Sequence, residues 1–75
     1  MMECERVVAP VHGEYIANQG DFSVGSTLVF SCHEGYQLHG DMHLTCEQVG
    51  NQAVWNTDPP ICLGKNTYDS YRDKL

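Results

Sequence analysis

Seventy-five residues with a formal net charge of −6, from ten acidic and four basic side chains, make one small domain with no room for a second core. So few Lys and Arg argue against a surface that neutralises nucleic-acid phosphates, anionic lipid heads or heparin-like polymers. No apolar run approaches the roughly 20 residues of a membrane helix, so direct membrane insertion is not expected.

In chain order, residues 1–3 carry no pattern, and no basic, then apolar, then small-residue leader opens the chain. Together with four cysteines suited to a disulfide framework, this reads as a piece of a larger secreted or membrane-anchored protein, with residues 1–3 an added start or an upstream linker. Residues 4–10 hold a short apolar piece ended by Pro10, which cannot continue a central strand. His12-Gly13-Glu14-Tyr15-Ile16 offers a turn glycine and a short strand, and residues 17–21 read as an exposed loop rich in turn residues. Residues 22–26 lead into a second strand, with Gly25 as the bend.

Residues 29–46 organise the rest. Leu28, Phe30 and Cys32 fall on one face of an alternating run, with Thr27, Val29 and Ser31 on the other. In a later run Met42, Leu44 and Cys46 share a face, while His43 and Thr45 point away. A period of two marks half-buried strands, so both thiols point inward, where a structural disulfide belongs. Residues 47–52 read as a polar turn region and residues 53–56 as the last strand, carrying the lone Trp55. Asp58-Pro59-Pro60 stiffens the approach to Ile61-Cys62, and residues 63–75 read as a polar linker or tail, with Tyr68 and Tyr71 beside Asp69 and Asp73. No window of 11 residues keeps a 3.6-residue period, which predicts an all-β fold of short strands.

Four cysteines, at 4, 32, 46 and 62, suit two disulfides in an oxidising compartment. Closing a loop of about 40 residues stabilises by roughly 4 kcal/mol in the chain-entropy model. Structural zinc is a poor alternative: no Cys-x-x-Cys pair exists, and His43 and Cys46 point to opposite faces of a strand. Cys32 and His33 are equally poor as a catalytic pair, because neighbours on a strand diverge and a nucleophile needs an unbridged thiol. His33, His39 and His43 are read as exposed polar residues rather than a pH-sensing cluster. Glu14, Asp21, Glu34, Asp41 and Glu47 are read as a solvated acidic surface, since calcium loops need several oxygen ligands in a short span. No Asn-x-Ser/Thr sequon occurs. No enzymatic activity, metal or cofactor is expected.

The spacing of cysteines, glycines and aromatics between Cys4 and Cys62 resembles the sushi domain, also called the complement control protein module or short consensus repeat. The matching residues are Gly13-x-Tyr15, Phe22-x-x-Gly25, Leu28-x-Phe30-x-Cys32, Gly35-Tyr36-x-Leu38-x-Gly40, Leu44-x-Cys46, Trp55 and Pro60-x-Cys62. Four cysteines permit three connectivities; the resemblance implies Cys4–Cys46 and Cys32–Cys62. It also implies an elongated module over residues 4–62 with short antiparallel strands and the chain ends at opposite poles. One bridge would then close each end of a core of Trp55, Phe30, Tyr36, Leu38 and Leu44, with Trp55 between them. The sequence departs from the family at three places. The early proline is displaced to Pro10, His12 precedes Gly13 where Asn is frequent, and Gly50 lies further than usual from Trp55.

The resemblance further implies a non-catalytic extracellular protein-binding module, one bead of a receptor, adhesion or complement-type protein, whose partners are extracellular proteins and neighbouring modules. The tail holds no further cysteine, which favours a parent of mixed modules or one with a single such module. Candidate contacts are Asn18, Gln19 and Asp21 in the loop at 17–21, then Asn51 and Gln52 in the loop at 50–53, because exposed loops without core residues carry binding. A structural spacer, or an accessory module of a complement-type serine protease, is the alternative.

Overall fold

The computed structural model describes residues 2–65, and its named elements are all strands: β1 (Gly13–Ala17), β2 (Thr27–Cys32), β3 (Tyr36–His39), β4 (His43–Val49), β5 (Gln52–Trp55) and β6 (Ile61–Gly64). They form two antiparallel sheets, one of four strands in the order β1-β2-β4-β5 and one of two strands pairing β3 with β6. The molecule is elongated, 51 × 21 × 14 Å along its principal axes.

Register explains which residues are buried. Tyr15 lies opposite Phe30, Ala17 opposite Leu28, and Leu28 opposite Leu44, so these side chains share one face of the large sheet. On that face Leu28, Phe30 and Leu44 are fully buried and join Val7 in the core. Tyr15, Ala17, Phe22, Leu38 and Trp55 pack around them. Each fully buried Leu or Phe stabilises by about 1.5–3 kcal/mol relative to exposure. A core this small leaves the domain marginal, and two cross-links add stability by restricting the unfolded chain.

Cys4 is bridged to Cys46, and Cys32 to Cys62. Cys46 sits opposite Trp55 on β5, whereas Cys32 sits opposite Gly13 and Cys62 opposite Leu38. The bridges therefore mark the two ends of the core.

Several local expectations differ from the structure. Trp55 is half-buried beside Cys46, at one end of the core rather than midway between the bridges. Its ring meets Phe22 edge-on at 6.0 Å, and its indole N–H donates to Glu5 O at 2.8 Å. Tyr36 lies outside the core cluster, half-buried and stacked on His12 with centroids 4.1 Å apart. Met42 is 48% exposed, because β4 begins one residue later and Met42 contributes only its carbonyl, to Phe30 N–H. The residues at 47–52 are not an extended turn: β4 runs to Val49 and β5 starts at Gln52, leaving Gly50 and Asn51 between them. β5 is not the last strand. β6 follows and continues through Leu63 and Gly64, two residues into the segment read as tail, because Gly64 pairs with Tyr36. Residues 66–75, including Tyr68 and Tyr71, lie outside the described residues.

Candidate partner-binding surface

The two candidate contact loops lie at the same end of the molecule. Asn18 leaves β1 where Ala17 faces Leu28, and β4 runs four residues past Thr45, the partner of Thr27, before it turns. At about 3.3 Å per residue, that carries the β4–β5 hairpin some 13 Å beyond Thr45. The strand order puts the loop at 18–26 on the β1 side of the sheet and the hairpin on the β5 side.

The first loop is stitched from within. Asn18 N–H donates to Thr27 O at 3.0 Å, and Thr27 N–H donates to Asn18 Oδ1 at 2.8 Å, closing its neck. Asp21 Oδ1 accepts the Ser26 hydroxyl at 2.8 Å, the Ser23 hydroxyl at 2.9 Å and the Ser23 N–H at 3.3 Å. The last of these is the aspartate turn that folds Asp and Asn onto the backbone two residues on. Gln19 Oε1 stands 3.2 Å from Ser26 Oγ and 3.3 Å from Ser23 Oγ. Each hydroxyl carries one proton, and the shorter, charged acceptor takes it. Ser26 is fully buried, so Asp21 satisfies a hydroxyl that has lost its water. The bonds from Ser26, then those from Ser23, hold the Asp21 carboxyl below its ordinary range. Asn18 Oδ1 and Asp21 Oδ1 thus serve the fold of the loop itself.

The hairpin is the freer of the two. Val49 faces Gln52 across a two-residue turn in which Gly50 has φ 61°, a left-handed conformation glycine adopts at little cost. Gln48 Nε2 donates to Gly50 O at 3.1 Å and steadies the tip. Val49 is 60% exposed, and Asn51 and Gln52 are exposed beside it. The Gly50-Asn51 dipeptide is a two-residue hairpin signal that the reading of 47–52 as a polar turn region passes over.

His39 faces Ile61 and His43 faces Val29, on different sheets, with His33 in the connection after β2. Among the described residues, no group of three His, Cys, Asp or Glu is placed to hold a metal ion. No helix there is long and apolar enough to cross a membrane.

Against known proteins, residues 4–62 match the family model described as Sushi repeat (SCR repeat). The chain is 46% identical over 59 residues to membrane cofactor protein of Saguinus mystax, covering 79% of this chain and 21% of that protein. It is 37% identical over 59 residues to membrane cofactor protein of Homo sapiens, covering 79% of this chain and 15% of that protein. P-selectin of Rattus norvegicus is 37% identical over 65 residues, covering 84% of this chain and 8% of that protein. The chain thus spans about a fifth or less of these relatives.

Proposed function

The chain belongs to the sushi repeat family, and from that premise we propose that it is a non-catalytic, extracellular protein-binding module of a receptor, adhesion or complement-regulator type of parent. The observation that carries the reading is the match of residues 4–62 to the sushi repeat model, together with the likeness to proteins named membrane cofactor protein and P-selectin. The architecture supports it. Two disulfides suit an oxidising environment, and the four-stranded sheet sets two loops at one end on opposite edges. The partners are extracellular proteins, and the contact is centred on the β4–β5 hairpin through Val49, Asn51 and Gln52, with Gln19 across the sheet.

A spacer is the second reading, and one observation favours it: Asn18 and Asp21 are already engaged inside the molecule. Loop exchange separates the two. The labelled chain is titrated onto cells and onto a panel of secreted and cell-surface proteins, then compared with variants carrying a foreign Gly50-Asn51 turn or a foreign loop at 18–21. Loss of capture on hairpin exchange, with thermal stability unchanged, is the expected result. Capture by no protein in the panel, or capture indifferent to both exchanges, sinks the binding reading and leaves the spacer.

A further inference from the structure

The far edge of β5 carries an unspent row of main-chain groups. Asn56 N–H donates to Thr45 O at 2.9 Å, and this pair falls in register with Cys46 opposite Trp55. Antiparallel ladders alternate between pairs that exchange main-chain bonds and pairs that do not. Glu47 with Val54 and Val49 with Gln52 are therefore the bonded pairs, while Gln48 with Ala53 and Cys46 with Trp55 are not. The N–H and C=O groups of Ala53 and Trp55 accordingly face away from β4. Among the described residues no strand pairs with that side of β5. It opens instead on a groove of about 720 Å³ lined by Glu3, Glu5, Gln52, Ala53, Val54 and Trp55, together with Met2 and Asn51.

An open edge is a template for another strand, and the surroundings state which kind. Two carboxylates line the groove, no Lys or Arg does, and Glu47 lies directly opposite Val54 in the ladder. A second copy of this chain would bring the same carboxylates and its own net charge of −6 against them, so like charges oppose edge-to-edge dimerisation. We propose that the β5 edge binds an extended, Lys- or Arg-bearing segment of a partner protein as an added strand. Ala53 and Trp55 supply the main-chain bonds, and Glu3 and Glu5 select for basic side chains. Binding of this kind takes affinity from the backbone and specificity from alternate side chains, so the partner is defined by extended conformation and positive charge rather than by one sequence.

This rests on the reading of the chain as a binding module, but its test is separate, because the loop exchanges above leave Ala53, Trp55, Glu3 and Glu5 in place. The probe is a capped Lys-Val-Lys-Val-Thr-Val-Lys peptide titrated into the isotope-labelled, oxidised chain. Two control peptides accompany it: one N-methylated at alternate residues, in both possible phases, and one with Glu in place of Lys. Expected are shifts and slowed hydrogen exchange at the Ala53 and Trp55 amides. One N-methylation phase should weaken binding by at least about tenfold, the acidic peptide should not bind, and Glu3→Gln with Glu5→Gln should weaken binding several-fold and flatten its salt dependence. Three results overturn the proposal. They are no change at those amides at millimolar peptide, equal binding by both N-methylated peptides, which would reduce the effect to charge alone, and protection of the same amides that rises with protein concentration in the absence of peptide, which would assign the edge to a second copy.

Discussion

Gly13 is the position where one added methyl group tests the packing most directly. It begins β1 opposite Cys32, and a Cβ built on it would lie 2.6 Å from Cys62 Sγ, 2.9 Å from Ser31 O and 3.0 Å from Pro10 Cγ. Ordinary carbon contacts sit at about 3.5–4.0 Å, so the three are short by roughly 0.5–1.4 Å, the sulfur contact most. None can swing aside: the sulfur is bridged, the oxygen belongs to the β2 backbone and the carbon to a proline ring. Relief requires β1 to move bodily away from the Cys32–Cys62 bridge. Overpacking of this kind costs about 1–3 kcal/mol. Stiffening of the unfolded chain by Gly→Ala offsets about 0.4–1 kcal/mol of that. With three immobile neighbours the upper part of the range applies, which gives a net loss of about 2 kcal/mol and a fall in Tm of about 8–16 °C for a domain this size. The assay is calorimetry and urea unfolding of oxidised Gly13→Ala, with Glu14→Ala as the exposed neighbour control. In a Cys32→Ala, Cys62→Ala background the sulfur contact vanishes, and the penalty should shrink by about 1 kcal/mol, the coupling expected of touching groups. A Gly13→Ala chain as stable as the parent, with the bridge intact, refutes the close approach; an equal penalty in both backgrounds refutes its assignment to the sulfur.

Asp21→Asn should alter the acid limb of the stability curve. The folded-state carboxyl lies below its ordinary range, so its contribution is complete above the unfolded value near 3.8 and is lost as pH falls through the folded one. Urea midpoints from pH 7 to 2 should fall less steeply for the Asn variant; identical slopes would mean the Ser26 and Ser23 bonds do not matter. Leu28→Ala should cost about 3–5 kcal/mol, because Leu28 is fully buried between Phe30 and Leu44 strand neighbours; a loss below about 1 kcal/mol by calorimetry would put the core elsewhere. Trp55→Phe keeps a ring against Phe22 but leaves Glu5 O without its donor. It should lower stability by about 1 kcal/mol, and no change in the urea midpoint would leave the indole bond without weight.

The alternation of 28-30-32 and 44-46 made the large sheet's buried face readable, because period-two burial is local information. Leu28, Phe30, Leu44 and Cys46 are all buried, as that pattern requires. Met42 misled because a periodic run does not state where its strand begins, and the Phe30 N–H to Met42 O bond ends the ladder just short of it. Tyr36 misled because its ring found a partner in His12, 24 residues upstream, across the β2–β3 end. Val7 entered the core from an irregular segment with no period to betray it, held by the Tyr15 hydroxyl donating to its carbonyl at 2.7 Å. At the candidate surface, turn-rich composition pointed to a loop at 17–21, but Ala17 belongs to β1 and packs on the core, the loop runs on to Ser26, and composition could not show that Asp21 is spent on that buried serine.

The edge of β5 was the least legible feature, for a topological reason. Consecutive strands usually pair, and only five residues separate Trp55 from Ile61, so the default from sequence is a β5–β6 hairpin. Asp58-Pro59-Pro60 prevents it: both prolines lack the N–H that a tight hairpin needs, and both hold the chain extended. Pro60 is buried, with its Cα and Cβ each 3.1 Å from where a Cβ on Gly40 would stand, so the segment is drawn against the end of β3. The Cys32–Cys62 bridge then fixes β6 at the opposite end of the core, where Leu38 takes Cys62 as its partner. Moving β6 to the second sheet is what leaves Ala53 and Trp55 with main-chain groups and, among the described residues, no strand to meet them. The same pair of prolines and the same bridge that complete the small sheet therefore create the open edge of the large one. The two cannot be altered independently: a sequence in which residues 57–60 formed a tight turn would close the groove beside Glu3 and Glu5 with the chain's own β6.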